Sequence, residues 1–439
     1  MTESDSIRFV DWVRSAAPYV HAFRGKTFVL GFGGELAEGE RLEKLCYDCN
    51  LLAALGVRLV LVHGARPQIE EELARRGLPS VLHEGVRVTD ADALECVKAA
   101  AGVARIEIEA RLSQGLPNTP MAGAHMRLTG GNFVVARPIG VVDGVDYLYT
   151  GRVRRVVADE IAADLDQQNV VLLSCLGFSP SGEIFNLAME DVAEQVAIAL
   201  KAEKLIYLCD APGLLDEKGR LIEAITGDAA ERMFRENKGL TEDLHLYLPR
   251  AIEAVRNGVA RAHLIDRDKD GALLLEFFTR QGVGTMVSRE SLARLREATV
   301  EDISALLSII APLEAEGILV RRSRELIEME ITRFSVIEHD GVIVGCAALY
   351  PFSDEQAGEM ACLAVSQQFR RGGLAAQLTR HVESRARAAG LSRLFVLTTR
   401  TEHWFRERGF KEVSPDELPR QKRELYNYQR RSKVLMKEL

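Results

Sequence analysis

The sequence predicts an α/β protein of two domains: a three-layer αβα domain on a mostly parallel sheet, then a smaller α/β domain. Three observations predict it. Short β-rich runs alternate with helical-period stretches from Lys26 to about residue 287, the pattern of a parallel sheet covered on both faces. At 439 residues the chain exceeds what one core fills. A new helix start at Thr299 then opens a second, separate pattern.

The first 23 residues carry apolar side chains, Trp12 and Tyr19 among them, at helical spacing between charges. The runs "TFVLGF" (27–32) and "RLVLVHG" (58–64) predict strands, and "LEKLCYDCNLLAALG" (42–56) between them predicts a helix with a glycine stop. Further strands are predicted at "NFVVARPIGV", "NVVLLSCLG", "KLIYLCDAPG" and "RAHLID". In the second domain Thr299 caps a helix with acidic residues in its first turn. A helix through "RRSRELIEMEI" follows, then strands at "FSVIEH", "VIVGCAALYPF", "GEMACLAV" and "LSRLFVLTT". The expected domains are 1–286 and 296–439, with 287–295 as a linker.

Composition narrows the function. A net charge of −8 removes the basic footprint that nucleic-acid binding needs. The N-terminus lacks the uninterrupted apolar core of a signal peptide, and no run of about 18 apolar residues occurs, so no membrane association and a cytoplasmic location are expected. Seven scattered cysteines fit a reducing compartment. Cys46 and Cys49 form a C-x-x-C, but in a helix-like stretch with no second pair, so a buried helical pair is expected and no metal.

The stretch "AVSQQFRRGGLAAQL" (364–378) runs from a strand through two arginines and two glycines into a helix. Free N–H groups and the positive end of the helix dipole meet there, which suits a phosphate. Arg370, Arg371, Gly372, Gly373 and Ala375 supply R-x-x-G-x-A, with small residues where a pyrophosphate must approach the backbone. With the preceding hairpin, and "HWFRERGF" after the next strand, this order resembles the GCN5-related N-acetyltransferase family. The resemblance implies acetyl-CoA as co-substrate, its pyrophosphate on 370–375 and its pantetheine arm along Cys362, Leu363, Ala364 and Val365. Acetyl transfer needs a neutral amine, and Glu359, just before "MACLAV", is the carboxylate expected to take its proton. Phe405 stands where many family members carry a tyrosine acid, so His403, Thr398, a water or no acid remain open. Cys362 is expected to offer backbone rather than a nucleophilic thiol.

The strings "GARPQIE", "GVRVTDADALECVKAAAG", "GILVRRSRE", "GEMACLAV", "LFVLTTR" and "LYNYQRRSKVL" extend the match. Together they resemble the bacterial two-domain N-acetylglutamate synthases along essentially the whole chain. That resemblance implies acetyl transfer to L-glutamate, the first step of arginine biosynthesis. Arg322, Arg430 and Ser432 would hold the glutamate carboxylates; arginine forks suit such ligands bidentately.

Residues 26–287 resemble the amino-acid kinase family, but lack its chemistry. Gly31 replaces the phosphoryl-stabilising lysine, "Gly64-Ala65-Arg66" replaces a glycine triplet, and "Ala188-Met189-Glu190" replaces an Asn-Ala-Asp triplet. Lys218 is kinase-like, and a surface turn explains it equally. The expected reading is a degenerate kinase domain that binds L-arginine as effector. Tyr19 in the N-terminal helix and Glu276, Gly282 and Gly284 in "EFFTRQGVG" are its expected contacts, and the arginine-sensitive relatives' hexamer is the implied homo-oligomer.

Overall fold

The computed structural model describes residues 3–439 except 38, 116, 237–238, 280–281, 291–292, 340, 370–372, 425 and 427–431. It divides into two compact units, Met1–Ser291 and Leu292–Leu439. No helix among the described residues is long and apolar enough to cross a membrane.

In the first unit Thr27–Phe32 is a strand with five of six residues buried, as a strand covered on both faces requires. It lies within an eight-stranded sheet, between parallel neighbours Arg58–His63 and Lys204–Cys209. Every ladder in that sheet is parallel except Arg261–Asp266 with Thr285–Ser288. The chain leaves Thr27–Phe32 toward one side and later returns to the other. The carboxyl end of this boundary is therefore a topological switch point, where such sheets hold ligands.

Strand alternation builds two cores. Val29, Val60, Val62, Leu205 and Tyr207 pack with helices Met189–Ala199 and Glu242–Arg256. Phe28, Leu30, Phe32, Leu59 and Leu208 pack with helices Glu3–Phe23, Gly39–Ala54 and Ala272–Phe278. Cys46 and Cys49 are buried in the second core as free thiols, and all seven cysteines are free and buried.

Two predicted strands depart from the main sheet. Val134–Pro138 and Leu176–Phe178 join Gly151–Val156 and Ile184–Asn186 in a separate four-stranded sheet. Only Val170–Leu173, fully buried, keeps "NVVLLSCLG" in the large sheet. Val134–Pro138 is partly exposed, a pattern that a strand covered on both faces does not have.

The second unit is a seven-stranded sheet flanked by helices. Thr299 and Asp302 form a capping box at a 3-10 turn that leads into helix Ile303–Ala315. The expected linker, 287–295, holds the end of Thr285–Ser288 and the start of strand Ala293–Glu297. The latter pairs antiparallel with Phe334–His339 and puts Ala293 and Leu295 against the core. Strands Lys411–Val413 and Lys433–Glu438 complete the other edge and were not predicted.

Candidate active site and effector site

Strand Ala357–Val365 runs parallel to Arg393–Thr398, but their ladder contains three pairs only, ending at Glu359–Phe395. Both strands continue past that point, so the sheet forks. The edge of Ala357–Val365 beyond Glu359 has no strand partner on the fork side among the described residues. That edge is a row of main-chain donors and acceptors open to a ligand.

The other edge, facing Val342–Phe352, is irregular at the same place. Register passes from Cys346–Ala364 to Ala348–Ala361, so Cys362 and Leu363 oppose Ala347 alone. Cys362 takes up the bulge with a φ of 52°. Burial pushes its thiol up to about 11, against a smaller pull from the Arg322 guanidinium. The thiol is therefore protonated at neutral pH and is a poor nucleophile.

Glu359 is the third residue of its strand, buried, with Oε2 2.7 Å from Lys422 Nζ. Tyr350 sits opposite it in the antiparallel register and bonds Glu330 Oε2 at 2.7 Å. Arg322 reaches the same region. Burial lowers its guanidinium pKa, but Cys362, Tyr350 and Glu359 nearby outweigh that and raise it. Its backbone N–H donates to Glu314 Oε1, and its side chain to the Val320 carbonyl. Ser432 is buried directly before Lys433–Glu438. Arg430 lies outside the described residues, as do Arg370, Arg371 and Gly372.

Of the turn's described residues, Gly373 is the left-handed N-cap, φ 70°, of helix Leu374–Ala388, and Ala375 lies in its first turn. Its own chain neighbours and helix backbone aside, no atom of the described residues lies within 4 Å of a Cβ built on Gly373. An open helix start beside an unpaired strand edge fits coenzyme A, whose pyrophosphate needs N–H donors and whose pantetheine carries amides. Among the acid candidates, His403 is exposed and Thr398 is buried with its hydroxyl 2.8 Å from that of Thr401. Phe405 is buried between Trp404 and Phe410, so this position is core and not reactive surface.

In the first unit the side chain of Glu276, in helix Ala272–Phe278, is 5% exposed. Its Oε1 takes a bond of 2.7 Å from His263 Nδ1, and Oε2 takes bonds from the N–H groups of Val283 (2.7 Å) and Gly284 (2.9 Å). Burial pushes this carboxyl up, but those three donors, His263 foremost, outweigh it and hold it at about 2. The glycine-rich turn thus folds onto the carboxylate through its N–H groups. Gly282 has φ 63°, and a Cβ there would stand 2.5 Å from Glu276 Oε2; one at Gly284 would stand 2.4 Å from the Leu264 carbonyl. Tyr19 packs beside Phe23 on the same core.

Sequence reasoning missed two neighbours. Lys204 is 2% exposed, with Nζ 3.2 Å from His263 Nε2 and 5.0 Å from the Phe23 ring centroid. A lysine opening the buried strand "KLIYLC" was the available signal.

The kinase positions are filled. A Cβ at Gly31 would lie 2.9 Å from Met189 Sδ and 3.0 Å from the Tyr207 ring, so a lysine has no room. Arg66 spans the crevice only loosely, 4.0 Å from Glu190 and 3.9 Å from Glu242. Lys218 is an exposed residue of the turn closed by Asp216. No group of three or more metal-binding side chains occurs among the described residues.

Residues 26–266 match the amino acid kinase family and residues 303–410 the acetyltransferase (GNAT) family. An amino-acid acetyltransferase from Ralstonia nicotianae is 54% identical over 98% of this chain and 96% of its own length. The chain belongs to the amino-acid acetyltransferase family. A second relative of that name, from Azotobacter vinelandii, is 53% identical over 98% of this chain and 99% of its own. N-acetylglutamate synthase from Neisseria gonorrhoeae, in a crystal structure complexed with coenzyme A and L-arginine, aligns with a TM-score of 0.86. It shares 40% identity over 98% of this chain and 99% of that one. The same enzyme complexed with coenzyme A and N-acetyl-glutamate aligns with a TM-score of 0.63 at the same coverage. The family's two folds are those of the two units described above.

Proposed function

We propose that the protein transfers the acetyl group of acetyl-CoA to the α-amino group of L-glutamate, giving N-acetyl-L-glutamate and CoA, and that L-arginine inhibits it from the first unit. The observation that carries the reading is the forked sheet with the buried Glu359 carboxylate at the fork. The names and bound molecules of the relatives support the choice of acceptor and effector.

In this reading, main-chain groups of Cys362–Val365 align the thioester, and helix Leu374–Ala388 with the turn before it takes the pyrophosphate. Arg322, with Arg430 and Ser432, holds the carboxylates of glutamate. Glu359 takes a proton from the glutamate ammonium, directly or through water. The freed amine forms the N–C bond at the acetyl carbonyl as the C–S bond breaks, the electron pair leaves with sulfur, and the thiolate takes the second proton that the acylated nitrogen sheds. A thiol of pKa near 8.5 is a tolerable leaving group without a tyrosine acid. No phosphoryl transfer belongs to this scheme, because Gly31 leaves no space for a lysine.

Glu276 and the turn of Gly282 and Gly284, with Tyr19 nearby, form the arginine site in this reading. The helix Glu3–Phe23 exposes Ile7 and Phe9, each 58%, and Trp12, 44%, apolar surface that supports assembly into a homo-oligomer. The test is a thiol-release assay with acetyl-CoA and a panel of amino acids, without ATP. Release that depends on glutamate is expected. Release with another amino acid in preference, or none at all, would contradict the proposal.

A further inference from the structure

A cavity of about 260 Å³ opens at the carboxyl ends of Lys204–Cys209 and Arg261–Asp266. It lies on the side of the sheet covered by helices Gly39–Ala54 and Ala272–Phe278, away from the glycine-rich crevice. Its wall contains Asp48. This residue is 9% exposed and sits on the inward face of its helix, with Leu45, Cys49 and Leu52. Asp48 has no hydrogen bond or ion pair among the described residues. Its oxygens are not among the fully buried polar atoms and so face the cavity, where a largely enclosed carboxylate without a partner still costs free energy that an apolar side chain would avoid. The fold alone does not account for it.

The charges around Asp48 define what it would accept. Burial first, then the Asp270 carboxylate, push its carboxyl up to about 7, the behaviour of an acid that lacks a cation. Three of the cations nearby are engaged elsewhere. Lys44 pairs with Glu40 at 2.9 Å and Asp270 at 3.6 Å, and Arg41 pairs with Asp268 at 2.8 Å. Arg267 bonds Asp243 through Nη1, while its buried Nε has no partner. No group of three or more metal-binding side chains occurs among the described residues, and the cation argued for here is an organic ammonium. The Arg41 and Lys44 pairs are half-exposed and weak, and each can yield to a ligand carboxylate.

We propose that this cavity binds a small zwitterion, with one ammonium and one carboxylate on a short carbon chain. The ammonium meets Asp48 and the carboxylate lies among Arg41, Lys44 and Lys269 at the mouth. The site is separate from the expected acetyl-transfer and arginine sites, and it stands or fails independently of both.

The test is calorimetric titration of the full chain with 4-aminobutyrate and with 6-aminohexanoate. Saturable binding of at least one is expected, weakened tenfold or more by Asp48→Asn and unchanged by Glu276→Ala. No saturable binding of either probe overturns the proposal, as does binding that Asp48→Asn leaves intact or that Glu276→Ala abolishes. If Asp48→Asn does not fold, crystals of the unaltered protein soaked with the better binder decide. Density in this cavity with the ammonium in hydrogen-bond reach of Asp48 supports the site, and density elsewhere or none overturns it.

Discussion

The Glu359 carboxylate lies 2.7 Å from the Lys422 ammonium, which joins the strand at the fork to the short helix Arg420–Glu424. This contact admits two roles for Glu359, a structural ion pair or a proton acceptor that Lys422 holds in place. They differ in what each partner's removal does. Glu359→Gln is expected to lower kcat by about 10²–10⁴, the usual contribution of a positioned base, with the KM for acetyl-CoA little changed. Lys422→Met is expected to keep most of kcat, because the carboxylate remains. Steady-state kinetics of the two variants decides. Equal losses in both, matched by equal losses of thermal stability, would leave Glu359 only a structural role.

Glu276 closes a turn and lines the proposed effector site at once. Glu276→Ala leaves His263 Nδ1 and the N–H groups of Val283 and Gly284 without their acceptor. A stability loss of about 1–3 kcal/mol is expected for a buried donor left unpaired. The arginine concentration for half inhibition should rise about tenfold or more, within the usual range of allosteric coupling, while the uninhibited rate holds. Inhibition curves with and without the substitution check this, and unchanged inhibition would remove Glu276 from the effector site.

His63 makes the first unit acid-sensitive. It is fully buried, and burial lowers its pKa from 6.5 to about 4, opposed by a smaller effect of its bond to the Gly64 carbonyl. Below pH 6.5 the unfolded histidine takes up a proton that the folded one refuses until about pH 4. Its contribution is therefore fully present above 6.5 and is lost as pH falls through that window, on the order of 3 kcal/mol in all. His263, also held down to about 4 by burial and then by Lys204, adds in the same direction. Thermal unfolding from pH 7 to pH 4 should show a steep loss of stability, flattened but not removed by His63→Gln. An identical slope in that variant would contradict the assignment.

The features that the sequence displayed locally were the ones recovered. Apolar periodicity gave the strands at 27–32 and 261–266 their predicted bounds, because burial on both faces leaves a continuous apolar run, while the strand expected in "KLIYLCDAPG" stops at Cys209. The helix start after the glycines was legible, but the left-handed cap that Gly373 supplies there was not. Gly282 and Gly284 were legible as a turn, but their cause, space occupied by Glu276 and Leu264, was not.

What stayed hidden depends on long-range pairing. Lys422 meets Glu359 only once helix Arg420–Glu424 lies against the strand at the fork. Lys204 and His263 meet because their strands become parallel neighbours. The bulge at Cys362 gave no signal, since neither glycine nor proline marks it. The small sheet of Val134–Pro138 and Leu176–Phe178 was missed because its apolar runs look like those of the large sheet until their partial exposure is known.

The account rests on coenzyme A entering the fork of the second unit. A crystal structure of the protein with coenzyme A and L-glutamate tests this most directly. The predicted result is the pantetheine along Cys362–Val365, the pyrophosphate at the start of Leu374–Ala388, and the glutamate amine within reach of Glu359, directly or through one water. Coenzyme A bound anywhere else on the chain would contradict it.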